Sequence, residues 1–185
     1  MRTGTQAKTL PGELGLWVFI FADLGLFALY FVLVAWDMRS DVATFQQGKQ
    51  GLNLTLGMIN TVVLLTGSWA VAMGTRVVSD GKQAARYLQL AALTGVIFLG
   101  VKFFEYGHLV SLGHTVVENR FLTWYFFLTG FHAFHVIAAV VFLLIVAARF
   151  RGEDQPGHVL TEAAGCYWHL VDLLWIGIFL VIYLL

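Results

Sequence analysis

The sequence predicts an all-α integral membrane protein, a bundle of five transmembrane helices with its N-terminus cytoplasmic and its C-terminus periplasmic. Three observations predict it. The 185 residues are 59% hydrophobic and only 12% charged, about half the charge of an average soluble domain. Five apolar runs each reach the ~20 residues a helix needs to cross a bilayer. Nowhere does the chain alternate polar and apolar residues over ten-residue segments, as a membrane β-barrel would.

The runs fall at 14–36, 52–75, 84–110, 122–148 and 163–185. The first follows a short polar stretch, MRTGTQAKTLPGE; it is longer than a signal-peptide core and no small-residue cleavage site follows it, so it reads as a retained helix. Short polar loops rich in Gly, Asp, Gln, Lys and Arg separate the runs, and with two prolines and no low-complexity tract the chain reads as a single domain over 1–185. Loop charges set the orientation. Arg2, Lys8, Arg76, Lys82, Arg86, Arg149 and Arg151 fall on one side, against Arg39, Lys49 and Arg120 on the other, and the richer side is cytoplasmic. Trp36, Trp124 and Tyr183 lie near run ends, as interfacial aromatic residues do. Eleven basic and eleven acidic residues cancel, leaving no global field to attract nucleic acid. A single cysteine, Cys166, excludes an internal disulfide and any CxxC metal or redox pattern.

Ionisable residues inside spans cost roughly 2.5–3.5 kcal/mol each on insertion scales and face protein or water. Here they are Asp23 in the first run, Lys102, Glu105 and His108 in the third, His132 and His135 in the fourth, and His169 and Asp172 in the fifth. Lys102 and Glu105 stand three apart and can neutralise each other on one helix face. The same spacing puts His132 with His135, and His169 with Asp172, beside a stripe of Trp168 and Trp175. Asp23 has no basic residue within a turn and requires water or a polar partner on another helix. These residues read either as interhelical hydrogen bonds, each of modest worth in a membrane, or as a functional site. Haem ligation would need His169 beside His132 or His135, which leaves a small b-type cytochrome as an alternative. No serine or aspartate pair stands in an intramembrane-protease context, and no internal repeat suggests a transporter.

Four segments carry a resemblance. YWHLVDLLWIGIFLVIYL (167–184) resembles the last helix of cytochrome c oxidase subunit III, with its YWHFVDxxW signature. TGFHAFHV (129–136) is similar to that family's TGFHGxHV, KFFEY (102–106) stands where it has QxxEY, and WVFIFADLGLFALYF (17–31) looks like its WxxxxSExxxFxxxFxxF segment. The resemblance covers most of the chain and suggests the short bacterial form with five helices. It implies a subunit of the bacterial inner membrane that holds no redox centre or metal of its own, the haem and copper lying in a partner. That partner would be the catalytic subunit of a haem–copper oxidase. The resemblance further implies phospholipid in a cleft and support of proton uptake and gas access. Asp23 would match the carboxylate at the lipid cleft and gas path; Lys102, Glu105, His132, His135, Trp168, His169 and Asp172 would match packing and lipid-contact positions. Asp23 in place of the family's Glu, Lys102 in place of its Gln, and the GELGLW preceding the first span look closer to the branch associated with nitric oxide reductase, making a reductase accessory subunit the alternative. Across the bundle, His169 and Asp172 are expected to meet His132, His135 or Glu105.

Overall fold

In the computed structural model, which describes residues 14–150 and 157–185, every regular element among the described residues is helical. The elements are α1 (Leu14–Ser40), α2 (Val42–Gln50), α3 (Leu54–Arg76), α4 (Gly81–Ser111), α5 (Arg120–Arg149) and α6 (His158–Phe179), which runs on as a π-helical turn, Leu180–Leu184. All except the short α2 are long and apolar enough to span a bilayer, so the chain is a multi-pass membrane protein. Arg2, Lys8, Glu13 and Arg151, used above, lie outside the described residues.

Helix starts follow from local chemistry. Asp41, Asn53, Asp80 and Asn119 each accept a backbone N–H three residues on, from Thr44, Leu56, Gln83 and Leu122, relieving one of the donors that a helix N-terminus leaves orphaned. The Asp80 cap lets α4 begin at Gly81 rather than 84. At the other end of α4, Gly113 takes φ +90° and closes the helix, with His114 N–H donating back to the Leu109 carbonyl.

α3, α4, α5 and α6 close a four-helix ring in which each helix packs on the next and α6 returns to α3; α1 lies outside it, against α6 and α5. Between helices in lipid the attraction is packing, so seams favour small residues. α3 presents Gly57, Gly67, Ala70 and Gly74 inward, and α4 presents Ala84, Ala85, Ala91, Ala92 and Gly95. Into this seam reaches Trp168 of α6. A Cβ on Gly67 would collide with Thr94 Oγ1 and the Trp168 ring, and one on Gly95 with Val140 and the same ring. Outward-facing Val18, Phe21, Val32, Val62 and Phe103 are exposed, the surface that lipid covers.

One element differs from the sequence reading. The polar stretch after the first run is not a plain loop but α2, capped by Asp41 and anchored by Phe45, which is buried edge-on against Phe121. Gly48 lies so close to Phe121 that a Cβ would not fit. One aromatic anchor and one glycine suffice to lay a polar helix across the end of α5. The apolar content is too low for periodicity to reveal it.

Two outcomes test these assignments. Gly67→Val is expected to cost about 1–3 kcal/mol by overpacking, read as reduced unfolding stability in mild detergent, whereas Gly100→Ala, with open space around it, is expected not to lower stability. The hydrogen bonds from Thr44 hold the Asp41 carboxyl below its ordinary value. A depressed folded value means the cap contributes above the unfolded value and is lost as pH falls through the folded one. Hydrogen-exchange protection at the Thr44 amide should therefore drop on acidification, and Asp41→Asn should abolish that pH dependence.

Candidate functional site: three buried polar centres

The first centre joins α4, α5 and the π-helical end of α6. Lys102 is 1% exposed and Glu105 4%, and Nζ of Lys102 sits 2.7 Å from Glu105 Oε2. The ammonium also donates to Tyr183 Oη at 2.8 Å and more weakly to Tyr125 Oη at 3.4 Å. Tyr183 in turn donates to the Glu105 carboxylate, 2.9 Å from Oε1. The rings of Tyr125, Trp175 and Tyr183 surround Nζ with centroids at 5.0, 5.0 and 5.3 Å, within cation–π range. A buried pair is tolerated only when its remaining donors and acceptors are also met, and the hydroxyls of Tyr125 and Tyr183 meet them here. Glu105 forms the inner wall of a cavity of about 540 Å³ that reaches Asn53, Phe104 and His108 at the bundle end.

The second centre ties α1 to the ring. His135 Nε2 lies 3.3 Å from Asp23 Oδ1, both residues buried. Its Nδ1 lies 2.8 Å from the Phe131 carbonyl, which can only accept, so Nδ1 carries a hydrogen. The Asp23–His135 contact then holds one shared proton, on the carboxyl or on Nε2. Phe27, Phe131 and Phe134 enclose the imidazole.

The third centre joins α3 and α6. Ser68 Oγ donates to Asp172 Oδ2 at 2.7 Å, and His169 Nδ1 stands 3.2 Å from the same hydroxyl. Nearby on the same seam, Trp175 Nε1 donates to Thr61 Oγ1 at 3.0 Å.

The structure therefore brings Lys102 to Glu105 and His169 to Asp172, but corrects three expectations. His169 and Asp172 meet Ser68, not His132, His135 or Glu105. His132 and His135 do not act on one face: residues three apart on a helix are rotated by about 60°, and here that angle straddles two grooves. His135 turns to Asp23, while His132 is enclosed by Phe98 and Trp175, ring centroids 5.4 Å away in both cases. Tyr183 is not interfacial but buried on Lys102 and Glu105. Trp168 is core, packed over Gly67 and Gly95. Trp36 remains exposed, and Trp124 donates to Asp37 at 2.8 Å near the α2 end of α5.

Ser68, Thr61 and Tyr125 escaped the sequence reading, and Tyr183 stands in it only as a run-end aromatic; a lone Ser or Thr hydroxyl in a span ordinarily bonds its own backbone. The histidines do not suit axial haem ligation: His132 is in the ring core, His135 is committed to Asp23 and Phe131, and His169 to Ser68. Among the described residues no three His, Cys, Asp or Glu side chains are disposed to hold a metal ion.

Breaking the first centre has a defined signature. Lys102→Met strands the Glu105 charge and is expected to cost about 3–5 kcal/mol, most of it recovered in Lys102→Met/Glu105→Leu. Thermal unfolding of the two variants in one detergent checks it; equal loss in both contradicts it.

The sequence model of cytochrome c oxidase subunit III matches residues 5–185. A cytochrome c oxidase subunit 3 of Synechocystis sp. is 33% identical over 187 residues, covering 92% of this chain and 74% of that protein. One of Corynebacterium diphtheriae is 31% identical over 179 residues, covering 92% and 86%. A cytochrome bo(3) ubiquinol oxidase subunit 3 of Pseudomonas aeruginosa is 29% identical over 175 residues, covering 92% and 83%. With the match spanning nearly the whole chain, and the four resembling segments supplying Asp23, Lys102, Glu105, His135, His169 and Asp172 to the three centres, this protein belongs to the cytochrome c oxidase subunit III family.

Proposed function

We propose that the chain is the non-redox membrane subunit of a respiratory haem–copper oxidase in a bacterial inner membrane, packed beside the catalytic subunit that holds the haem and copper. The family match over residues 5–185 carries this reading. His135 and His169 are bonded to protein groups and His132 is packed between Phe98 and Trp175, which agrees with a scaffold. The relatives named above are oxidase subunits, which favours an oxidase over a nitric oxide reductase as the partner.

Its finer roles follow from where polarity sits. Arg76, Lys82, Arg86 and Arg149 lie at one end of the bundle, and Arg39, Lys49 and Arg120 at the other; this supports a cytoplasmic N-terminus and a periplasmic C-terminus. Phospholipid would lie along the exposed apolar faces, among them α1, held at the correct tilt by the Asp23–His135 contact beneath it. The chain's own residues do no redox chemistry in this reading. They hold a shape that retains lipid and keeps the catalytic subunit's gas and proton entries in place.

Purification of the tagged chain in mild detergent is expected to bring down a haem–copper catalytic subunit, with all haem assigned to that partner by spectroscopy and mass spectrometry. Haem remaining on this chain after the partner is removed, or a nitric oxide reductase as the stoichiometric companion, would overturn the reading.

A further inference from the structure

The third centre does not stand alone. At the end of the bundle that carries Arg76, a cavity of about 380 Å³ opens between α3 and α6, lined by Thr75, Arg76, His158, Glu162, Cys166 and His169. On α6 the polar positions 158, 162, 166, 169 and 172 follow one helix face, and farther along the same face the helix exposes Leu173, Ile176 and Leu180. Its polar part leads from a rim where His158 Nδ1 lies 3.2 Å from Glu162 Oε1, inward to a buried carboxyl.

From the polar cavity and the ordered chain His169–Ser68–Asp172, we propose that the α3–α6 groove is an aqueous inlet that delivers a proton to Asp172 inside the bundle. Ser68 has one hydroxyl hydrogen, and it is directed to Asp172 Oδ2; facing an ionised Asp172, the hydroxyl can only accept from His169, so Nδ1 carries the hydrogen between them. A proton taken from water at the other ring nitrogen then moves three bonds in sequence. It bonds to Nε2; the Nδ1 hydrogen passes to Ser68 Oγ; the original Ser68 hydrogen passes to Asp172 Oδ2. The products are a neutral carboxylic acid, an intact hydroxyl and a neutral imidazole of the other tautomer, with one proton withdrawn from water and no other reactant.

Asp172 is 6% exposed, and its second oxygen, Oδ1, is buried without a hydrogen-bond partner. Uncompensated buried charge is costly, and a proton removes it. The groups facing this carboxyl are His169 on its own helix and Ser68 of α3. α5 turns His135 to Asp23 of α1 and His132 to Phe98 and Trp175, and α4 commits Lys102 and Glu105 to the first centre. The rim adds Arg76, His158 and Glu162. The inference goes beyond the partner reading and does not depend on it.

The test uses the full chain, with whatever copurifies, in lipid nanodiscs. After a drop in pH, time-resolved infrared spectroscopy should show the carbonyl stretch of a protonated carboxylic acid that is missing in Asp172→Asn. In Ser68→Ala the band should reach the same amplitude at least about tenfold more slowly, and Ser68→Thr, which keeps a hydroxyl, should restore the rate. Equal rates in Ser68→Ala and the unaltered chain overturn the relay; no pH-dependent band from Asp172 overturns the site. If Asp172→Asn does not assemble, the single Cys166 on the cavity wall serves as the reporter in the unaltered protein. Modification by a charged, membrane-impermeant methanethiosulfonate at a rate comparable to N-ethylmaleimide supports an aqueous inlet. Modification by N-ethylmaleimide alone overturns it.

Discussion

In hydrocarbon a polar group has no water to fall back on, so its partner must come from the protein itself. The Lys102–Glu105 pair makes this constraint most severe, because two full charges are buried within one turn of α4. Neither can be left half-solvated, and the groups that complete their hydrogen bonding, Tyr125 and Tyr183, come from α5 and from the last turn of the chain. Meeting the needs of one ion pair therefore fixes α4, α5 and α6 relative to one another. The π-helical turn at Leu180–Leu184 belongs to the same requirement: the wider turn occurs where Tyr183 aims its hydroxyl at Glu105, and π turns often mark such sites.

Packing and polarity divide the remaining work by helix pair. α3 meets α4 through glycine and alanine, and Trp168 fills the space that these small residues leave. α3 meets α6 through hydroxyls, Ser68 with Asp172 and Thr61 with Trp175. α1 joins α5 through aromatic contacts and polar links, Asp23 with His135 and Asp37 with Trp124. The ring is thus doubly determined, by shape and by hydrogen bonds, whereas α1 carries one buried polar contact, Asp23 with His135, on a largely apolar helix.

How much of this was legible in the sequence depended on distance along the chain. Lys102 with Glu105 could be read because both lie on one helix face. Asp41, Asp80 and Asn119 could be read as polar breaks between apolar runs, whereas Asn53, the cap of α3, falls inside the run 52–75. Partners from distant helices could not, because a residue's period tells which face it occupies and not which helix that face meets. Asp23 was visible as a carboxyl in need of a partner, but nothing local singled out His135. Ser68 carried no signal at all: Thr61 and Thr66 on the same helix bond their own backbone carbonyls, and Ser68 looks like them until Asp172 is placed opposite. Tyr183 sat where interfacial aromatics sit, and only the turn at the end of α6 rotates it inward. The family motifs identified which positions matter more reliably than what each one touches.

The Asp23–His135 contact also constrains the order of biogenesis. α1 leaves the ribosome before α5, with α2, α3 and α4 between them. During that interval Asp23 enters the bilayer with no partner, at a cost of roughly 2.5–3.5 kcal/mol on insertion scales, and each Leu, Phe, Val or Ile of α1 returns about 0.3–0.6 kcal/mol. The dense apolar content of α1 is therefore more than a lipid-facing coat: it allows the helix to insert before its polar anchor exists. Until α5 arrives Asp23 has no His135 to meet, and the ring closes only when α6 follows and packs against α3 and α1.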